Sequence, residues 1–354
     1  MWRDTAATRR LGIRLPILGG PMAGGPSTPA LAAEVSEAGG LGMLGSGYQS
    51  PDAIRDAVRE VRRLTDKPFG VNLFVPTAVE IDPTAVAAAV EALRPFAARY
   101  DLEIALEPPY AEDFDAQLEA VIDERVPVFS FTFGVPAPAS LGALRDAGVV
   151  TCGTATSLAE AIALRDAGVD LLCLQGAEAG GHRGGFIGAP EDSLVGIGSL
   201  LAAVRAKIDL PLVAAGGIAD GRGIAAALAG GADAVQLGTA FLRCPEAGTS
   251  APYRAALETA RDTDTVVTKA FSGRAARGLR NELSTALADV PVPSYPVMNK
   301  LTRELRRRAA AAGDSSVLSL WAGQGVAGAR TLPARDLVVA LEEETDQALA
   351  RFGR

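Results

Sequence analysis

Residues 171–186 read LLCLQGAEAGGHRGGF, and the rest of the chain is organised around them. The stretch opens as a short apolar run, Leu171 to Leu174, of the kind a buried strand shows. It then breaks into a loop carrying Gly180, Gly181, Gly184 and Gly185. Inside that loop sits His182, the only histidine in 354 residues. A buried strand feeding a glycine-rich loop, with one group that titrates near neutrality, is where an α/β enzyme keeps its chemistry. The plain alternative is an ordinary loop histidine, but the glycines give a ligand close access to the backbone.

Outward from this point the same unit recurs. Strand-like runs lie at 15–21, 41–44, 69–75, 126–133, 149–151, 171–174, 212–215 and 234–237, eight in all, with helical stretches between them. The 29–38 helix has Ser27 and Thr28 as capping candidates and Pro29 at its first position. Ile54, Val58, Val61 and Leu64 recur at helical spacing in the next one. Small-residue turns at 37–42, 145–150, 165–170 and 229–235 each place a Gly where a helix ends and a strand begins. Eight apolar strands alternating with helices describe an α/β fold, a (β/α)8 TIM barrel. An open doubly wound sheet is the runner-up, but no GxGxxG follows the first strand.

Two regions fall outside the repeat. Residues 76–120 form an insertion with helical pattern at 85–98 and 111–123. After about residue 245 the pattern is helical again, including 303–312 and 334–350. The expected division is a barrel from 1–75 and 121–245, and a mainly helical, substrate-covering domain from 76–120 and 246–354. The basic run RELRRR (303–308) reads as a solvated helix face rather than an anion site.

Composition narrows the function. With 48% hydrophobic and 21% charged residues the chain is globular. A net charge of −8 argues against nucleic acid. Cys152, Cys173 and Cys244 are too few and too spread for a disulfide framework or a thiolate metal site, so no metal is expected. No leader or membrane-length apolar run is visible, which points to a cytoplasmic protein.

Barrel enzymes work at the C-terminal ends of their strands and hold phosphate after strands seven and eight. Ala215-Gly216-Gly217-Ile218 and Gln236-Leu237-Gly238-Thr239 occupy those places, where backbone N–H groups and the Thr239 hydroxyl suit a phosphate. Tight βα turns are the alternative reading. Asn72 within strand three, Gln175 ending strand six and Met22 after strand one add groups suited to a flavin mononucleotide ring. Each has a structural alternative: Asn72 as a loop partner, Met22 as core filler. Glu178 reads as a loop-ordering residue more readily than as a catalytic acid. One His without a nucleophile elbow makes acyl transfer a poor fit.

These residues resemble the nitronate monooxygenase family, formerly the 2-nitropropane dioxygenases. The resemblance rests on Pro16-Ile17, Pro21-Met22, GGLG at 39–42, VNL at 71–73 and QGAEAGGHRG at 175–184. AAGGI (214–218), QLGTAF (236–241), SGRAARGLRN (272–281), YPVMN (295–299) and LWAGQG (320–325) continue it almost end to end. The family implies a barrel binding FMN noncovalently. Its flavin contacts would fall on Met22, Ala23, Asn72, Gln175, Gly180, Gly181, Gly216, Gly217, Gln236, Leu237, Gly238 and Thr239. His182 would be the catalytic base. The implied reaction is oxidation of a small alkyl nitronate, or a nitroalkane, by O2 to a carbonyl compound and nitrite. Relatives that use NAD(P)H, enoyl-ACP reductases and NADH:quinone reductases, are the alternative, and a non-enzymatic flavin binder is a third. A homo-oligomer is compatible with all three.

Overall fold

The computed structural model describes residues 2–78, 80–189 and 193–351. Eight parallel strands form the frame: β1 (Ile17–Gly19), β2 (Gly42–Gly45), β3 (Phe69–Phe74), β4 (Val128–Thr132), β5 (Val150–Ala155), β6 (Leu171–Gln175), then, after a two-residue strand β7 (Gly181–His182), β8 (Leu212–Ala215) and β9 (Ala234–Leu237). Their spatial order is β1-β9-β8-β6-β5-β4-β3-β2. The circle closes where Leu18 bridges Leu41, with Gly19 donating to the Leu41 carbonyl at 2.9 Å. The chain is a (β/α)8 barrel, as the eight apolar runs predict.

Helix α1 (Ala6–Leu11) precedes the barrel; α2 (Pro29–Glu37) and α3 (Pro51–Leu64) link its first three strands. The insertion supplies α4 (Pro83–Ala98) and α5 (Phe114–Asp123). Between later strands lie α6 (Pro138–Asp146), α7 (Leu158–Asp166), α8 (Ile197–Arg205) and α9 (Gly221–Ala229). Thr28 caps α2 by accepting from the Leu31 N–H, with Pro29 at the first turn as expected. Gly39, Gly148, Gly168 and Gly231 all have positive φ at the four turns, the conformation that selects glycine after a helix. Leu64 departs from expectation. It is the last residue of α3 and 47% exposed, while Ile54, Val58 and Val61 carry the buried stripe.

Side chains alternate along the strands, yet both faces are apolar. Ile17, Leu172, Leu174, Leu212 and Ala214 pack outward under the helices, while Leu18, Met43, Val128, Cys152, Cys173 and Val213 fill the barrel. Ala7 and Leu11 of α1 join that inner cluster. A separate core holds the C-terminal region to the insertion. Leu93 and Phe96 pack there with Phe271, Leu283, Met298, Leu301, Leu305 and Leu320.

That C-terminal region is less uniformly helical than its sequence pattern. Besides α10 (Ala251–Glu258), α11 (Glu282–Ala286), α12 (Val297–Ala311) and α13 (Ala334–Ala350), it contains a hairpin, β10 (Thr265–Thr268) and β11 (Ala276–Leu279). The hairpin matters because β11 pairs antiparallel with β7, setting Ala276 opposite His182. The histidine read as a loop residue is therefore held on a strand edge by a segment ninety residues away. Helix α12 also begins at Val297, six residues before the expected start.

Candidate functional site

Strand β6 delivers the chain to the C-terminal end of the barrel at Gln175, whose side chain is spent locally. Its Nε2 donates to the His182 carbonyl at 2.9 Å, and its Oε1 accepts from the Gly184 N–H at 2.8 Å. Arg183 turns the other way and is fully buried, donating to the carbonyl oxygens of Gly176, Gln175 and Ser193. Glu160, also without solvent exposure, accepts from the Thr156 N–H and hydroxyl and from the N–H groups of Phe186 and Ile187. Glu178 accepts the Ile197 N–H at 3.0 Å, the loop-ordering kind of bond its sequence position favours. The glycine-rich loop is thus anchored on both sides of His182.

The imidazole sits in an aromatic box. Ring centroids of Trp321, Phe133, Tyr295 and Phe74 lie 5.5, 5.6, 5.7 and 6.1 Å from its own. Burial in that box, with Arg274 and Arg306 adding positive charge, holds the His182 pKa down at about 3. It is neutral across the physiological range. Its Nε2 lies 2.8 Å from the Oγ of Ser272, a buried serine on the turn before β11. That hydroxyl also lies 3.2 Å from the Arg274 carbonyl oxygen. Donating there, the serine accepts from Nε2–H, which leaves the Nδ1 lone pair uncommitted.

His182 faces a cavity of about 840 Å3. Of the twelve candidate cofactor contacts, Met22, Ala23, Asn72, Gln175, Gly180, Gly181, Gly216, Gly217, Gln236, Gly238 and Thr239 line it. Leu237 stands apart: its side chain is 1% exposed in the core behind β9. Asn72 donates to Ser130 Oγ at 2.8 Å, a buried bond that orients its amide. Met22 is fixed by its N–H, which donates to Ser27 Oγ at 2.8 Å. Gly216 and Gly217 have φ of 132° and 69°, and among the described residues the N–H groups of Gly216, Gly217, Gly238 and Thr239 donate to no other backbone group. Four backbone donors left without a backbone acceptor are of the kind that can hold an anion.

The opposite wall corrects the reading of 303–308. Asn299, Arg303, Arg306, Arg307 and Ala310 of α12 line the cavity, while Arg308 and Glu304 pair on the helix surface. Periodicity shows that arginine faces one side of a helix, but not what that side meets. Tyr48, Phe74, Phe133, Tyr295, Trp321 and Ser272 were equally invisible as a group. YPVMN, LWAGQG and SGRAARGLRN carry three of them, but nothing local tells that those segments converge on one imidazole. Phe133 had a further signature only in three dimensions, a φ of 79° that a bulky side chain rarely adopts.

Residues 6–344 match the family model for nitronate monooxygenase. The chain is 38% identical over 358 residues to a probable nitronate monooxygenase of Staphylococcus aureus, covering 99% of both sequences. Its fold is similar to that of a nitroalkane oxidase from Streptomyces ansochromogenes, with a TM-score of 0.92 and 44% identity over 98% of this chain and 100% of that one. FabK from Thermotoga maritima is more distant, with a TM-score of 0.79 and 33% identity over 99% and 98% of the two chains.

Proposed function

The chain belongs to the nitronate monooxygenase family of oxidoreductases, and on that premise we propose that it oxidises alkyl nitronates with FMN and O2. Nitroalkanes are a further substrate class, and the products are a carbonyl compound and nitrite. The observation that carries this reading is a neutral imidazole, boxed by aromatics, facing a cavity lined by four residues whose backbone N–H groups have no backbone acceptor.

FMN suits the residues present. The cavity volume lies within the range of cofactor sites. The uncommitted N–H groups at 216–217 and 238–239 would hold its phosphate, helped by the N-terminus of α9. Met22, Asn72 and Gln236 would line its ring. Bound there, a flavin supplies an acceptor for the substrate's electrons and a route from them to oxygen.

The protein's own contribution is proton handling, orientation and exclusion of water. A nitroalkane gives up an α-proton, and Nδ1 of His182 is free to take it because Ser272 occupies the other nitrogen. The aromatic walls keep water from competing and hold the small alkyl part. For a substrate supplied as its nitronate, no proton need be removed, and His182 adds its neutral ring to the aromatic walls. The C-terminal region covers the substrate end of the barrel, since its residues Asn299, Arg306 and Trp321 line the cavity, whereas none of the described residues of 76–120 does.

Oxygen consumption and nitrite release with ethyl nitronate test the proposal. Stoichiometric nitrite is expected, with His182→Ala abolishing turnover of nitroethane. The likeness to FabK keeps an NAD(P)H-dependent reductase as the second reading. NADH oxidation without nitrite production would favour it.

A further inference from the structure

One face of α12 lies along the cavity: positions 299, 303, 306, 307 and 310 follow the three- and four-residue spacing of a single helix stripe. Arg303 is exposed and so stands at the rim, while Arg306 is half-buried and lies deeper. Most arginines elsewhere are neutralised. Arg3, Arg14, Arg99, Arg205 and Arg330 each meet a carboxylate, and Arg307 meets Glu304. Among the described residues Arg306 has only neutral partners. It donates to Thr302 Oγ1 at 3.2 Å, Ser319 Oγ at 3.2 Å, Asn299 Oδ1 at 2.7 Å and the Asn299 carbonyl at 3.3 Å. A guanidinium has five N–H groups, so at least one remains for a ligand.

Its position is close to the chemistry. Ser319, which holds Arg306, is two residues from Trp321 of the aromatic box. Tyr48, which feels the Arg306 charge, packs edge-on against Phe74 at 5.3 Å. A cation withdrawn from water and matched with no anion costs free energy unless a bound group supplies the missing charge. An alkyl nitronate is planar and spreads one negative charge over two oxygens, a match for a guanidinium edge. Its conjugate nitroalkane carries no net charge.

We propose that Arg306, with Arg303 at the rim, selects the anionic nitronate over the neutral nitroalkane. This rests on the reading of the cavity as a nitronate-oxidising site, and it assigns two residues of α12 as its specificity determinants. Arg303 draws the anion in; Arg306 meets it.

The test is calorimetric titration of the flavin-loaded protein with nitrate, a planar anion that the site cannot oxidise. It is paired with kcat/KM for ethyl nitronate and for nitroethane. Arg306→Gln is expected to weaken nitrate binding about 10- to 100-fold and to lower the nitronate-to-nitroethane ratio of kcat/KM about tenfold. Arg303 forms no ion pair or hydrogen bond among the described residues, so Arg303→Gln breaks none. That variant is expected to weaken nitrate about 2- to 5-fold and to flatten the ionic-strength dependence of nitronate turnover. Equal losses for both substrates, no nitrate binding by the wild type, or unchanged nitrate affinity in both variants overturns the assignment. Should Arg306→Gln not retain flavin, an unaltered nitrate affinity and salt dependence in Arg303→Gln overturns it alone. Nitrate binding without nitronate turnover in the wild type would count against the proposed function and leave the arginine assignment readable.

Discussion

The Nε2 of His182 and the Oγ of Ser272 lie 2.8 Å apart, although ninety residues separate them in the chain. The contact exists because β7 and β11 pair, and it fixes which nitrogen of the imidazole is committed. Ser272→Ala should leave the ring free to turn. Turnover of nitroethane, which needs a proton removed, is expected to fall on the order of 10- to 100-fold, and that of ethyl nitronate less. Steady-state rates with the two substrates check this; equal losses would mean that the serine acts only through the fold.

Burial, then Arg274 and Arg306, lower the His182 pKa from 6.5 to about 3, and this has a definite sign for stability. The unfolded chain binds a proton as pH falls through 6.5, whereas the native protein does so only near 3. The contribution is therefore fully present above pH 6.5 and is lost as pH falls towards 3. Urea midpoints of wild type and His182→Gln should diverge between pH 7 and pH 4, with the wild type falling more steeply. The same shift predicts that kcat/KM for nitroethane has no acid limb near pH 6.5. A limb there would show an ordinary imidazole.

Glu160 supports the histidine loop from beneath, with its two carboxylate oxygens taking four donors. In Glu160→Gln an amide N–H faces backbone N–H groups that cannot accept. A loss of about 3 kcal/mol is expected in denaturant unfolding, because a buried donor set is left unsatisfied. An unchanged midpoint would remove the loop-anchoring role.

Gly217 tests the phosphate assignment. Its φ of 69° suits glycine, and a Cβ there would lie 3.1 Å from the Cβ of Glu178. Gly217→Ala pays about 1–2 kcal/mol of backbone strain, and relief of that strain moves an N–H assigned to the phosphate. Flavin fluorescence titration should show affinity reduced on the order of tenfold. Unaltered affinity would place the phosphate elsewhere.

Much of this was legible in the chain. Runs such as 212–215 and 234–237 became β8 and β9 without adjustment, because a strand buried on both faces is written as a continuous apolar run between glycine turns. Gln175 and His182 were legible as residues of the cavity end for a related reason, since polar groups at the end of such a run have little else to do. The aromatic box was not. Tyr295 and Trp321 come from segments whose local patterns say nothing of where they fold back, and the β10–β11 hairpin is short enough to be hidden among helical signals. Arg306 was misjudged because a charged helix stripe looks alike whether it meets solvent or a cavity.

The measurement closest to the central claim is anaerobic mixing of the FMN-loaded protein with ethyl nitronate and, separately, with NADH, while following the flavin spectrum. A rapid spectral change with the nitronate, nitrite on admission of oxygen, and no response to NADH are expected. Bleaching by NADH with no response to the nitronate would contradict it.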